Sequence, residues 1–461
     1  MNHQPSAIPH SAEVSARVGG EYTSSEELRS KMIKSRVALI LVLPILLALL
    51  AGCMKGREDD KTILLRMIVW GSAADEQKWN DKLQEFHKDH PNVRVRLEYV
   101  VNERTLQKLL IATAGNKAPD ASIISSMWFV PAASKGLLED LGPYVKKDKD
   151  FDLSDFYPQV IDGWGKYRGV LYAIPAGVDT CAMYYNKTMF DKYHVPYPDE
   201  SWDWDDYLAA AKKLTRDTNG DGRIDQWGTT PNWWQTYVWS NGGDLISKDK
   251  TRCLLDQPEA IEALKWMSDL RNKYHVAPTA QDMADLSSTK LFTNGQTGMY
   301  FSGSWAVPLY FDKDIKGAFE YDVAPVPKGP VCRATFYGGA SYAVLRGSKH
   351  KDLAWELVKF MVSKESLRER AIKEQVIPSR ISVAESNAFL NLPGPPKHRK
   401  VFLDAIEYGR TLPRVPCSEE MNSIIGNELS NLQIGKEDAE PACRRTAERI
   451  NGLLWPKQNR E

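Results

Sequence analysis

Residues 63–100 read ILLRMIVWGSAADEQKWNDKLQEFHKDHPNVRVRLEYV. The first eight are mostly apolar, as a strand buried on both faces of a parallel sheet would be. Trp79, Leu83 and Phe86 then recur at helical spacing between Asp75 and His90. Pro91 stops that helix, and Val93, Val95, Leu97 and Tyr99 alternate as a second strand. Strand, helix, strand at this spacing is a βαβ unit, so the fold class is α/β.

The alternation continues downstream. Helices are expected over 106–114, 204–214, 261–271, 352–361 and 441–454, and strands over 121–125, 169–175, 182–185 and 298–302. Asp203 is placed to cap the 204–214 helix, with Asp205 and Asp206 in its first turn. The chain has 461 residues, beyond the size at which one core keeps growing, so at least two lobes are expected. Apolar content is 43%, charged content 26% and net charge zero. That balance gives nucleic acid no electrostatic footprint to bind.

Lys31, Lys34 and Arg36 precede the run VALILVLPILLALLA at 37–51, which is short for a membrane span and right for a signal segment. The run ends Leu50-Ala51-Gly52-Cys53, which resembles the lipobox of bacterial lipoproteins. That resemblance implies a signal peptide over 1–53, lipidation at Cys53, a tether over 54–61 and anchoring to the bacterial cell membrane. Five cysteines follow. An exported chain can form disulfides. Cys417 with Cys443 is the first pair to consider, with buried free thiols as the alternative.

The stretch DTNGDGRIDQWG at 217–228 raises a metal question. Asp217, Asn219, Asp221 and Asp225 fall at positions 1, 3, 5 and 9 of an EF-hand loop, and the Arg223 carbonyl at 7. Gly222 falls at the required glycine, but Gly228 stands where a bidentate Glu is needed. The alternatives are a structural calcium site and a metal-free polar turn, since Asn-Gly and Asp-Gly favour turns by themselves. No cofactor is otherwise required.

Five stretches together resemble the family 1 extracellular solute-binding proteins of ABC importers, relatives of maltose-binding protein. They are residues 68–97 of the opening unit, PDASIISSMWFVPAASKGLLEDL at 119–141, YRGVLYAIPAGVDTCAMYYNKTMFDKYHVPYPDESWDWDDYLAAAKKLT at 167–215, GQTGMYFSGSWAVPLY at 295–310, and YGGASYAVLRGSKHKDLAWELVKFMVSKE at 337–365, followed by IPSR. The resemblance implies a two-lobe type II periplasmic-binding-protein fold with a hinge and an interlobe ligand cleft. Lobe 1 is expected at 62–178 and 325–375, and lobe 2 at 179–324 and 376–461. It also implies a permease, a separate ATPase, a membrane contact through the lipid anchor, and a monomeric receptor.

Aromatic residues suit a sugar ligand, because an indole covers the apolar face of a sugar ring while polar groups bind its hydroxyls. Six of the 14 tryptophans lie between Trp202 and Trp239. One of Trp233 and Trp234 is expected to stack on ligand and the other to be core. Trp305, in SGSW, matches the cleft tryptophan of the family. Trp70 and Ser72 follow one strand, and Ser125 and Trp128 follow another, at the carboxyl ends where open α/β sheets bind ligands. Trp70 is equally a core candidate. Asp179, Gly243, Ser302, Tyr337 and Arg380 complete the candidate set, Arg380 as a bidentate clamp. The wall favours a neutral sugar or oligosaccharide over a phosphosugar, polyamine or peptide. An exported glycoside hydrolase would need two placed carboxylates, and no motif points to a pair. No GxSxG elbow or Walker A motif is present, and His87 with His90 reads as a helix end. A non-enzymatic receptor is expected.

Overall fold

The opening run forms β1 (Ile63–Trp70), and the alternating segment after Pro91 forms β2 (Val93–Val100). They pair in parallel, with Met67 opposite Leu97. The helix Glu76–Asp89 crosses between them and buries Trp79, Leu83 and Phe86. The structure, a computed structural model, describes residues 62–454 except 284, 285 and 435. The signal segment, Cys53 and the tether lie outside the described residues.

The remaining strands are β3 (Ala121–Ser125), the short pair β4 (Lys166–Tyr167) and β5 (Val170–Leu171), β6 (Ile174–Asn186), β7 (Trp227–Thr230), β8 (Thr297–Gly303), β9 (Tyr321–Ala324), β10 (Thr335–Val344) and β11 (Gly409–Arg410). The main sheet runs β2-β1-β3-β10-β6-β8-β7, with β9 on β6 and β11 on β10. β3 is parallel to β1, whereas β10 is antiparallel to both β3 and β6.

β6 is where the structure departs from the expected strands. The two segments expected at 169–175 and 182–185 are not separate. Thirteen residues run as one strand. Its first half pairs with β10 and its second half with β8 and β9. Gly177 and Asp179 hid this continuity, because both residue types are depleted in strands. Pro175 has no N–H to donate, and the register shifts beside it, between Ala340 and Ser341.

Three apolar clusters fill the interior. One gathers Leu65, Met67, Phe86, Trp355 and Met361 on one half of the sheet. A second gathers Leu214, Trp239, Leu264, Met421 and Ile450 on the other. The third, with Ile124, Trp164, Tyr184, Phe292 and Phe402, draws from both. Asp203 caps its helix as expected: it accepts from the amides of Asp205 and Asp206 while Asp206 accepts from the Asp203 amide.

Cys417 and Cys443 are not joined; all five described cysteines are free. Cys443 sits inside the second cluster, while Cys417 stands half-exposed at the start of the helix Ser418–Glu428. The 217–225 loop links the helix Trp204–Leu214 to β7. Its oxygens are turned onto its own backbone: Asp217 accepts from the amides of Gly220 and Gly222, Asn219 from Asp221, and Asp221 from Arg223. Asp225 accepts from Thr218. Among the described residues no group of three or more His, Cys, Asp or Glu side chains converges as a metal site. No described helix is long and apolar enough to cross a membrane.

Candidate ligand-binding cleft

The aromatic corner of the cleft is built from β8 and the turn before the helix Trp234–Ser240. Asn232 donates to the Phe301 carbonyl at 2.6 Å and accepts from the Phe301 amide at 3.3 Å. These two hydrogen bonds pin the chain to β8 just before Trp233. Trp233 itself is left-handed, with φ 53°. A bulky residue in that region is strained, and such strain persists only where the surroundings impose it. The turn sends successive tryptophans in opposite directions. Trp234 is buried in the core, while Trp233 remains half-buried.

Trp233 stacks on Phe336 at 4.8 Å between centroids and meets Trp305 edge-on at 6.0 Å. Trp305 also meets Phe336 at 6.5 Å, nearly perpendicular. Trp305 leans over Gly303, where an added Cβ would lie 1.8 Å from the indole. Tyr184 holds that glycine from below, donating to its carbonyl at 2.9 Å.

Phe336 is also one wall of a small cavity of about 10 Å³, shared with Ser126, Trp164, Arg414 and Asn422. The floor is β10. Trp164 packs edge-to-face at 5.1 Å on Tyr337, which lies outside the lining, and neither the Tyr337 hydroxyl nor the Trp164 indole N–H has a hydrogen-bond partner among the described residues. Burial pushes the Tyr337 hydroxyl well above its usual range. Ser126 accepts from the Gly339 amide at 3.2 Å. Arg414 donates through Nη1 to the Asp162 and Gly163 carbonyls at 2.7 and 2.8 Å. It therefore bonds the end of the helix Pro158–Trp164, and burial pushes its guanidinium below the usual range.

Asp179 stands on β6 directly opposite Gly338 of β10. Cross-strand neighbours share a face, and a Cβ on Gly338 would meet Phe336 and the Ser126 hydroxyl. Asp179 thus shares the sheet face of the aromatic corner. Burial pushes its carboxyl up to about 6, against the opposing pull of Arg370.

The structure brings Trp233 and Trp305 together around Phe336, with Asp179 on the same sheet face, and gives other employment to most of the rest; Tyr337, next to Phe336 on β10, packs instead on Trp164 in the third cluster. Arg380 is no clamp. It is buried, donates from Nε to the Val362 carbonyl at 2.7 Å, pairs with Asp155 at 3.2 Å and lies over the Phe156 ring. Ser125 caps the helix Ser126–Ser134, accepting from the Met127 amide. Trp128 is buried with the third cluster, because the short apolar helix that carries it is itself buried. Trp70 donates to the Thr105 hydroxyl at 3.0 Å, and exposed Ser72 bonds Asp75. Gly243 packs against Val238 and Ala260, and Ser302 is buried within β8. Trp164, Phe336, Arg414 and Asn422 were missed. They come from four distant segments, and only the TLPRVP setting of Arg414 hints at a fixed loop.

A mixed sheet threaded by one long strand, with an aromatic-sided cavity where its halves meet, defines a two-lobed solute receptor of the type II periplasmic-binding class. The chain belongs to the bacterial extracellular solute-binding proteins, whose family model matches residues 70–367. It is 26% identical over 395 residues to a putative binding protein of Brucella abortus, covering 85% of this chain and 93% of that one. It is 23% identical over 407 residues to the galactooligosaccharide-binding protein of Bacillus subtilis, covering 85% and 90%. An ABC substrate-binding protein from Listeria monocytogenes, solved in complex with cycloalternan, superposes with a TM-score of 0.77 at 27% identity, covering 85% of this chain and 99% of that one.

Proposed function

We propose that this protein is the receptor of an ABC importer and binds a sugar or oligosaccharide between its lobes. The observation that carries the reading is the corner formed by Trp233, Trp305 and Phe336, beside a small cavity on which the Trp164 indole N–H has no partner among the described residues. An aromatic face against a sugar ring, with hydrogen-bonding groups at its edge, is the division of labour a carbohydrate requires. Asp179 accepts sugar hydroxyls, and its raised pKa falls when they bond to it. The names of the relatives lend support: the Bacillus protein binds galactooligosaccharides, and the Listeria protein was solved with cycloalternan.

In this reading the lobes are 62–178 with 325–375, and 179–324 with 376–461. Ligand favours the closed arrangement through its preference for it, and the closed receptor delivers its cargo to a membrane permease driven by a separate ATPase. The chain is exported, lipidated at Cys53 and monomeric, and it performs no chemistry on the sugar.

The test is a thermal-shift screen against neutral sugars, sugar acids, phosphosugars and polyamines. Ligand at 100 times its dissociation constant adds about 2.7 kcal/mol. A shift with a sugar that is recovered unaltered supports the reading. A shift confined to polyamines, or turnover of the sugar, refutes it.

A further inference from the structure

We propose that the β1–β2 edge of the sheet docks on the anionic phospholipid surface of the membrane that carries the anchor. This rests on the reading that places lipid at Cys53, and adds the face by which the folded chain lies on that membrane.

The charge of this edge is local, since the whole chain is neutral. β1, β2 and residues 101–117 carry six cations, Arg66, Arg94, Arg96, Arg104, Lys108 and Lys117, against two acids, Glu98 and Glu103. Strand alternation gathers the first three. Leu64 pairs in register with Arg94 and Arg66 with Arg96, so all four side chains share one face. Glu98 stands two residues further along that face. It accepts from Arg66 Nε at 2.8 Å and pairs with Lys108 at 3.0 Å. Arg66 also donates through Nη1 to the Lys117 carbonyl at 2.8 Å, which draws in the loop after the helix Thr105–Ala114. One acid thus ties two cations together and leaves the cluster positive. Arg96, Arg104 and Lys117 are exposed, and their side chains make no hydrogen bond or ion pair among the described residues.

The shape suits a surface rather than a point ligand. The helix covers this face only at the far end of the strands. There Leu106 and Leu109 pack with Ile68, and Thr105 accepts from the Trp70 indole. The near end is left open, with Arg94 exposed and Leu64 half-exposed. β2 closes the sheet, so no further strand shields the edge. Between helix and strands runs an open groove of about 570 Å³, with Val100, Ile111 and Ala112 in its lining beneath cationic side chains. Ile111 is 67% exposed. Cations around an exposed apolar strip match an anionic bilayer: the charges meet headgroup phosphates, and the apolar side chains enter the acyl boundary.

Connectivity favours a membrane over a free acidic partner. Ile63, the first residue of β1, lies ten residues beyond Cys53. Ten residues reach at most about 36 Å. The chain enters this face at Leu64, and Arg66 follows about 7 Å along the strand. A lipid at Cys53 therefore keeps the basic edge close to headgroups at all times. At that effective concentration even a weak attraction holds.

Vesicle flotation of the unlipidated chain from residue 54 onward tests the face without the anchor; its compact unit begins at Ile63. The probes are vesicles of phosphatidylcholine alone and of phosphatidylcholine mixed with phosphatidylglycerol. Binding is expected only to the mixed vesicles, and weakens as salt is raised. Each cation removed from the edge should weaken it about fivefold, so Arg96→Gln, Arg104→Gln and Lys117→Gln together should weaken it about 100-fold. Exposed substitutions of this kind leave the fold intact. Lys213→Gln, Lys248→Gln and Lys313→Gln together remove the same charge from exposed sites outside this edge. That triple should retain most of the binding. Equal binding to both vesicles, or equal loss in the two triples, overturns the docking face. Sugar affinity of the edge triple should stay within about twofold; its loss would place these residues in the ligand site instead. Vesicle binding that persists in a chain that binds no sugar overturns the sugar reading alone. A bare Cys53 by mass spectrometry of the exported chain, with vesicle binding intact, faults the anchor and not the face.

Discussion

Replacing Arg380 by alanine should unfold the protein more easily without changing what the remaining folded molecules bind. The side chain is 6% exposed. It donates from Nε to the Val362 carbonyl at 2.7 Å and from Nη1 to Asp152 and Asp155 at 3.3 and 3.2 Å. Its guanidinium lies 4.5 Å from the Phe156 ring centre. Removing one partner of a buried ion pair costs about 3–5 kcal/mol. Asp155 keeps two bonds from Ser382, at 3.0 and 2.8 Å, and Lys364 at 3.5 Å, which pulls the figure down. The lost carbonyl bond and ring contact pull it back, to about 4 kcal/mol. Unfolding entropy of about 2.1 cal/mol/K per residue gives roughly 0.8 kcal/mol/K for a fold of about 390 residues. The expected fall in Tm is therefore about 5 °C, read by calorimetry, with ligand affinity within about twofold by titration. An unchanged Tm with lost binding would refute this placement and restore Arg380 to the cleft.

Trp233→Ala should weaken ligand binding by about 2 kcal/mol or more, as truncation of a central aromatic contact does; titration calorimetry at unchanged fold reads it, and unaltered affinity removes Trp233 from the site. Gly303→Ala should drive the Trp305 indole off its seat, since the new Cβ would lie 1.8 Å from the ring; the expected result is weaker binding with altered tryptophan fluorescence, and wild-type affinity would show that Trp305 is not a platform. Asp179 has a raised pKa of about 6, so its contribution to stability is fully present below the unfolded carboxyl value, near 3.9, and is lost as pH rises through about 6. Hydroxyls that bond the carboxylate favour its ionised form, so affinity should fall as pH drops below about 6, and Asp179→Asn should flatten the profile. Reductant should leave Tm unchanged, because the five described thiols are unpaired; a fall would reveal a disulfide.

Local pattern carried the reading of the fold a long way. The β1-helix-β2 unit, the capped helix after Asp203 and the strand before Trp305 are each written in contiguous residues. β6 was not, because a glycine and an aspartate in its middle argue against a strand unless the partner β10 is known. The aromatic corner was legible where one residue dominates its neighbourhood, as with Trp305, which stands beside Trp233 and Phe336. The rest was illegible where role depends on distant contacts. Arg380 and Asp155 are 225 residues apart, so nothing near IPSR distinguishes a ligand clamp from a core ion pair. Trp164 and Arg414 meet across a similar gap, and neither lies in a motif.

The continuity of β6 has a calorimetric consequence. A strand of 13 residues spans about 43 Å at 3.3 Å each, and its side chains enter all three apolar clusters: Ile174 and Ala176 the first, Met183 and Tyr185 the second, Val178 and Tyr184 the third. Two bodies joined by loops alone can melt one after the other. Here neither half can lose its central strand while the other keeps it, so heating should give one endotherm rather than two. A solute that holds only the space between the halves should then raise the melting of the whole molecule as a unit.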